Sequence, residues 1–418
     1  MKYENSLLVG LTHIALSGKY SFMDSRFEKC IIQAWNTTCS IFGFGGFLVV
    51  ILFVTILCAP TSVRAAPRVF FTIDVESNEM FTLPEQVDAV CKDGSACGLM
   101  EIVRMLQERG WAGTFFLNVY EYRRWEEAAM RDITVKLQSA GQDVALHTHP
   151  QWAYDPSRWA MFGYNLDEQT TIIHDGVRLL EAWTGRPVVA HRAGAYTADQ
   201  HTLEALERNG IRVDSSLFWE HPWSHLNGLG LPRNLPSTWG QLIQIPVTVY
   251  QREGRPTLFA DFLSPATSIR KIDPNWFLNK EEAISVIDAV IDADLPFLVV
   301  FLHSFSFMEG QGDGGVPLAD RHPRDLFRAI LDHIAEKRLP VMTMRDLAES
   351  ETLPAISPDR DVIPRVTVRM HLHRYFLYRL KTAGTGALGV GAVVFTLVVG
   401  GTVLLITARR RRLVAGAK

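Results

Sequence analysis

The chain has 418 residues, 21% of them charged, and a formal net charge of −3. That balance excludes nucleic-acid binding by bulk electrostatics, and the length exceeds what one ordinary domain needs. Mean hydropathy is slightly positive, at +0.06, and two uncharged segments account for it.

Residues 1–40 carry no periodicity and are expected to form an N-terminal cytoplasmic segment. Ile41 to Ala59 is apolar apart from small residues and Thr55, long enough to cross a bilayer core. Residues 41–60 therefore read as a transmembrane helix or signal anchor. A cleaved signal peptide stays open, because Ser62-Val63-Arg64-Ala65 resembles a small-residue cleavage site. The second segment, residues 387–407, is followed at once by Arg409 to Arg412. That basic flank puts residues 408–418 in the cytoplasm, and residues 351–386 read as a solvated juxtamembrane stalk. By this topology the domain between the spans, residues 67–350, lies outside the cell membrane. Only Cys91 and Cys97 fall in that domain. Closing a short glycine-containing loop in an oxidising compartment, they are expected to form a disulfide.

From Val69 onward the pattern is regular. Val69 to Asp74 predicts a strand, Leu99 to Arg109 a helix and Gly113 to Val119 a strand. A charged helix to about Ala140 and a strand over Asp143 to His149 follow. A helix over Asp167 to Trp183 leads to a strand at Pro187 to Ala190. Then come a helix over Asp199 to Arg208 and strands at Ile211 to Val213 and Leu242 to Tyr250. The stretch from Ser264 to Asn275 reads as loop. Glu281 to Ala293 predicts a helix, Phe297 to Leu302 a buried strand, Arg324 to Lys337 a helix and Leu339 to Thr343 a last strand. Strands that are near-continuous apolar runs, alternating with helices, indicate a parallel sheet covered by helices. Seven or eight such units predict an α/β fold of (β/α) barrel type, complete or distorted, flanked by transmembrane helices.

In such barrels the chemistry sits at the strand C-terminal ends, and the polar residues gather there. The first strand ends in Asp74-Val75-Glu76, and the i, i+2 spacing puts both carboxylates on one face. Val144-Ala145-Leu146 ends in His147-Thr148-His149-Pro150, which aims two imidazoles at one point, a geometry suited to a divalent metal. His191-Arg192, Asp214-Ser215-Ser216 and Leu302-His303-Ser304 end three further strands. Carboxylates, imidazoles and a guanidinium at one mouth can perform metal-assisted hydrolysis.

These clusters resemble, over about residues 68–345, the polysaccharide deacetylase family, the NodB-type carbohydrate esterases. The family's first motif, Thr-Phe-Asp-Asp, corresponds to Thr72-Ile73-Asp74-Val75-Glu76. Its second, His-Ser/Thr-x-x-His, corresponds to the shortened His147-Thr148-His149-Pro150. The third matches Arg192 to Tyr196, the fourth Asp214, and the fifth Leu302-His303-Ser304. The resemblance implies Asp74 as catalytic base oriented by Arg192, and His303 as general acid with Asp214 tuning its charge. Metal ligands would be Glu76, His147 and His149, with Glu76 replacing the family's second aspartate, where Val75 stands here. The Tyr196 region would lend a backbone N–H to the oxyanion and Leu302 would line the acetyl pocket. Trp152, in the aromatic stretch after the histidine pair, is a further substrate-binding candidate.

The expected cofactor is a divalent metal, Zn2+ first. The expected function is removal of N-acetyl groups from a cell-envelope polysaccharide or glycan by a membrane-anchored hydrolase of carbon–nitrogen (non-peptide) bonds. Two alternatives stay open: a catalytically inactive binding or scaffold module of the same shape, and a hydrolase of a non-sugar C–N bond. The sequence names no particular protein partner, and the basic run within 351–386 reads as solvated stalk before partner site.

Overall fold

The computed structural model describes residues 66–254, 267–275, 278–311, 315–350, 353 and 358–368. Apolar runs bounded by turns form the strands. β1 (Arg68–Val75) is followed by the short α1 (Leu83–Val87) and by α2 (Leu99–Gln107). α2 is helical because Leu99, Ile102, Val103 and Leu106 recur on one face, and all four are fully buried. Cys91 and Cys97 are disulfide-bonded in the loop between these helices, as expected. β2 (Thr114–Asn118), α3 (Glu127–Ser139), β3 (Asp143–Thr148), α4 (Leu166–Thr184) and β4 (Ala190–Ala193) follow in strict alternation. α4 begins on an Asn165–Glu168 capping box and ends at Gly185 in the left-handed region. Then come α5 (Gln200–Arg208), β5 (Val213–Asp214), β6 (Ser237–Trp239), β7 (Leu242–Gln244), β8 (Val249–Gly254) and β9 (Thr267–Lys271). α6 (Lys280–Asp292) and β10 (Phe297–His303) precede the hairpin of β11 (Met308–Gln311) and β12 (Pro317–Ala319). α7 (Arg321–Glu336), α8 (Met344–Glu349) and β13 (Arg365–Val368) complete the described chain.

The main sheet has eight strands in the order β10-β1-β2-β3-β4-β5-β7-β6, parallel except for the β6–β7 pair. It curls into an open barrel. A smaller sheet, β13-β8-β9, lies across the gap. There Ile272, just past β9, pairs with Val300, the Phe301 N–H donates to the Ile272 carbonyl at 2.9 Å, and the Val299 N–H donates to Thr248 Oγ1 at 2.8 Å. The barrel is thus the distorted form of the one expected. The last predicted strand contributes a single bridge, Val341 to Val69.

Alternation along each strand divides the core in two. Phe71, Ile73, Phe115, Leu117 and Leu146 pack outward against helix residues such as Leu106, Ile133 and Leu180. Phe70, Phe116, Ala145, Ala190, Val213 and Val299 face the barrel interior, where Met344 and Leu347 of α8 join them. α8 closes the end where the strands begin: the Met344 N–H donates to Thr114 Oγ1 at the start of β2, and Arg345 pairs with Asp143 at the start of β3. The opposite end of the interior is left to polar residues.

Three expectations change. Leu242 to Tyr250 is two strands, because Pro246 has no N–H to donate to a ladder. The expected loop at 264–275 contains β9, whose residues gain ladder partners from β8 and not from local pattern. Folded structure also continues beyond residue 350. β13 pairs with β8, and Asp361 is held by the Arg233 and Asn234 N–H groups, at 2.9 Å each on Oδ1. Among the described residues no helix is long and apolar enough to cross a membrane. The spans expected at 41–60 and 387–407 and the termini beyond them lie outside the described residues.

Candidate metal and catalytic site

The interior face of each strand delivers its polar end to one mouth. Asp74 shares the parity of Phe70, His147 that of Ala145, Arg192 that of Ala190, and His303 that of Val299. Lateral register aligns them, with Asp74 opposite His303, Asn118 opposite His147, and His147 opposite Arg192. Glu76 and His149 stand just past their strands. Glu76 Oε2 lies 3.2 Å from His147 Nε2 and 2.5 Å from His149 Nε2, and Glu76 Oε1 lies 3.6 Å from His303 Nε2. Ligand atoms of Glu76, His147 and His149 fall within 4.8 Å of one another.

The donor chemistry of this cluster suits a cation. His147 Nδ1 is 2.9 Å from the Arg192 carbonyl oxygen, which can only accept. The proton of a neutral His147 is therefore on Nδ1, and Nε2 turns its lone pair toward Glu76 and, at 3.7 Å, toward Asp74 Oδ2. His149 Nε2 is buried and makes no aligned hydrogen bond among the described residues, although Glu76 touches it. Lone pairs facing carboxylate oxygens repel unless a positive charge lies between them. These groups also pull one another toward their charged forms. Burial pushes the Glu76 carboxyl up, but His149 and His147 outweigh it and hold its pKa well below the ordinary value. Burial pushes His147 down, and Asp74 and Glu76 more than reverse that.

Arg192 is fully buried. Its Nη1 donates to Asp74 Oδ1 at 2.8 Å, and Nε and Nη2 donate to the Ser215 carbonyl and Oγ, each at 3.1 Å. Asp74 is thereby oriented with Oδ2 toward His147. The His303 ring stacks on Phe305 and meets Phe301 edge-on. Burial lowers its pKa, against the opposing pull of Glu76.

The turn after β4 is tight. A Cβ on Gly194 would stand 2.5 Å from Cδ2 of His149, so only glycine lets the main chain meet that ring. Ala195 and Tyr196 follow with φ of 48° and 60°, a left-handed pair at the rim of the site. Tyr196 is buried, and its hydroxyl accepts from Lys271 Nζ at 3.0 Å.

Asp74, Glu76, His147, His149, Arg192 and His303 are thus brought together, with Tyr196 on the adjoining wall. Three expected residues stand elsewhere. Val213 faces the interior, so Asp214 faces the helices. There it takes His191 Nδ1 at 2.7 Å and Ser216 Oγ at 2.6 Å, and not His303. Leu302 belongs to the outer core, and its neighbour Phe301 faces inward beside Tyr196. Trp152 packs against the outer core beneath the Arg124 guanidinium.

Sequence reasoning missed Ser215, Phe301, Lys271 and Asp273. The first two were one residue from the chosen positions, and strand parity was the signal. Lys271 and Asp273 alternate at the end of β9, which read as loop. Lys271 Nζ lies 3.1 Å over the Phe301 ring and 3.8 Å from Asp273 Oδ2. Burial pulls its pKa down to about 8. Asp273 adds to the groups that raise the His303 pKa.

No protein-family model matches the chain. Among solved structures it matches members of the CE4 polysaccharide deacetylase family, pseudoenzymes among them. A protein assigned as a polysaccharide deacetylase from Mycobacterium smegmatis is 19% identical, with 74% of this chain and 96% of that one covered and a TM-score of 0.47. A CE4 family pseudoenzyme from Bacillus anthracis is 14% identical over 69% of this chain and 67% of that one, with a TM-score of 0.37. The chitin deacetylase of Colletotrichum lindemuthianum is 13% identical over 69% and 89%, with a TM-score of 0.38. These likenesses are distant, and the chemistry of this chain rests on its own site.

Proposed function

We propose that the chain is a metal-dependent hydrolase that removes N-acetyl groups from a cell-envelope glycan, held at the membrane with the barrel outside. The observation that carries this reading is the convergence of Glu76, His147 Nε2 and His149 Nε2 on one point, with Asp74 and His303 paired across β1 and β10 beside it. Glu76, His147 and His149 would hold a divalent metal, Zn2+ first, which would polarise the acetyl carbonyl and acidify a water molecule.

The chain's own residues supply the proton traffic. Arg192 occupies one oxygen of Asp74, so the other is left to accept a proton from the attacking water. The water oxygen bonds to the acetyl carbon as that proton leaves. His303 then delivers a proton to the sugar nitrogen as the C–N bond breaks, giving acetate and a free amine. Burial lowers the proton affinity of His303, so once protonated it releases the proton readily. Phe301, Tyr196 and Phe305 give the mouth an apolar wall, which would suit the acetyl methyl group.

The test has two parts, metal content and acetate release. Purified protein should bind about one zinc equivalent, and His147→Ala with His149→Ala should abolish binding. Full metal content in that double variant would overturn the assignment. Zinc binding without acetate release from any N-acetylated glycan offered would instead identify a binding module, and release from a non-sugar amide a different hydrolase. Tagged termini protected from protease in intact cells would bear out the expected topology.

A further inference from the structure

Glu76 stands one residue beyond the sheet. The ladder from β1 to β10 ends at Asp74–His303, and that to β2 ends at Val75–Leu117. Backbone pairing therefore does not set the position of the carboxylate that faces both histidines, and side chains take over. Gln86 Nε2 donates to the Glu76 carbonyl and to the Phe81 carbonyl, each at 3.0 Å. Gln86 Oε1 accepts from Ser304 Oγ at 2.5 Å, and the Glu76 N–H reaches that same Oγ at 3.4 Å.

The next residue is gripped from the other side. Glu121 accepts from the Ser77 N–H at 2.8 Å and from Ser77 Oγ. The same carboxylate accepts from Asn118 Nδ2 at 3.0 Å and from Trp125 Nε1 at 2.8 Å. Gln86, Ser304 and Glu121 are fully buried. Among the described residues the Glu121 carboxylate meets neutral donors, an arrangement that is expensive unless every donor is well placed. Its four hydrogen bonds tie the exit of β1, the end of β2 and the turn after it to one point.

We propose that Glu121, through Ser77, and Gln86, through the Glu76 carbonyl, are positioning residues that hold Glu76 against His147 and His149. The inference rests on the metal-site reading above. An acid one residue beyond the ladder can ligate only if something replaces the missing strand partner, and this cage does so. Outer-shell partners of this kind tune affinity and geometry without touching the ion.

The experiment uses the full chain. Zinc affinity is measured by competition with a chelating dye, and site geometry by the visible spectrum of the cobalt(II) form. Glu121→Gln keeps the shape but turns an N–H toward donors that need an acceptor. It should weaken zinc binding by about ten- to a hundredfold and change the cobalt spectrum. Gln86→Met should do the same. Ser77→Ala, which removes the Oγ bond and keeps the N–H bond to the carboxylate, should weaken zinc binding less than Glu121→Gln, and the double variant should lie less than the sum of the two below wild type. Asp143→Asn, which cuts the buried pair with Arg345 at the opposite end of the barrel, should lower the melting temperature and leave zinc affinity unchanged. If Glu121→Gln does not fold, Gln86→Met and Ser77→Ala decide by the same criteria. Folded variants with wild-type zinc affinity and cobalt spectrum overturn the inference. A wild-type protein that binds neither metal overturns the metal-site reading and this inference with it.

Discussion

Gly194→Ala is the sharpest single test of the site, because one methyl group reaches a metal-ligand candidate. The new Cβ would stand 2.5 Å from His149 Cδ2. Ordinary carbon contacts need about 3.5 Å, so the ring must retreat by about 1 Å. Ligand distances tolerate only about 0.2 Å. The displaced His149 then ceases to ligate. Taking about two orders of magnitude for a lost ligand, zinc binding weakens by about 2.7 kcal/mol. The φ of Gly194 is not in the left-handed region, so alanine leaves the backbone unstrained, and pushing the ring aside should cost the metal-free fold about 1–3 kcal/mol. Urea unfolding with zinc or with chelator separates the two effects. With zinc held at a hundred times the wild-type dissociation constant, the wild type should gain about 2.7 kcal/mol and the variant about 0.4 kcal/mol. A variant stabilised by zinc as much as the wild type would refute the reasoning, and with it the placement of His149 at the metal.

Asp74→Asn keeps the shape of the side chain but removes the basic oxygen, so acetate release should fall by at least about a hundredfold. His303→Ala should impair N-acetyl substrates far more than activated acetate esters, whose leaving groups need no proton; equal losses on both would exclude it as the acid. Lys271 is largely buried with a pKa pulled from 10.5 to about 8. The unfolded chain then binds more protons between those values, so this group's contribution to stability rises with pH across that window. The unfolding free energy of wild type relative to Lys271→Met should climb by about 3 kcal/mol from pH 7 to 10.5, and a flat difference would show that burial does not strain the ammonium. Reducing the Cys91–Cys97 bond, which spans a sequence separation of 6, should cost about 2 kcal/mol of stability; an unchanged denaturation midpoint would show that the unfolded chain gains nothing from the cut.

Much was legible without coordinates. Apolar runs alternating with helical periodicity announced a parallel sheet, and the strand ends named Asp74, His147, His149, Arg192 and His303 as neighbours. The disulfide followed from two cysteines and a topology. What the sequence could not decide was facing. In a strand a one-residue error in the boundary turns every side chain to the other surface. The resemblance pointed to Asp214 and Leu302, whereas the phase of the strands turns Ser215 and Phe301 to the inner face. Nor could it locate β9, a strand defined by its ladder to β8, and so Lys271 and Asp273 went unread. Local pattern carries the period of an element. The absolute phase of that period, and the partners of residues with no pattern at all, are set only when distant strands pair and one surface becomes the inside.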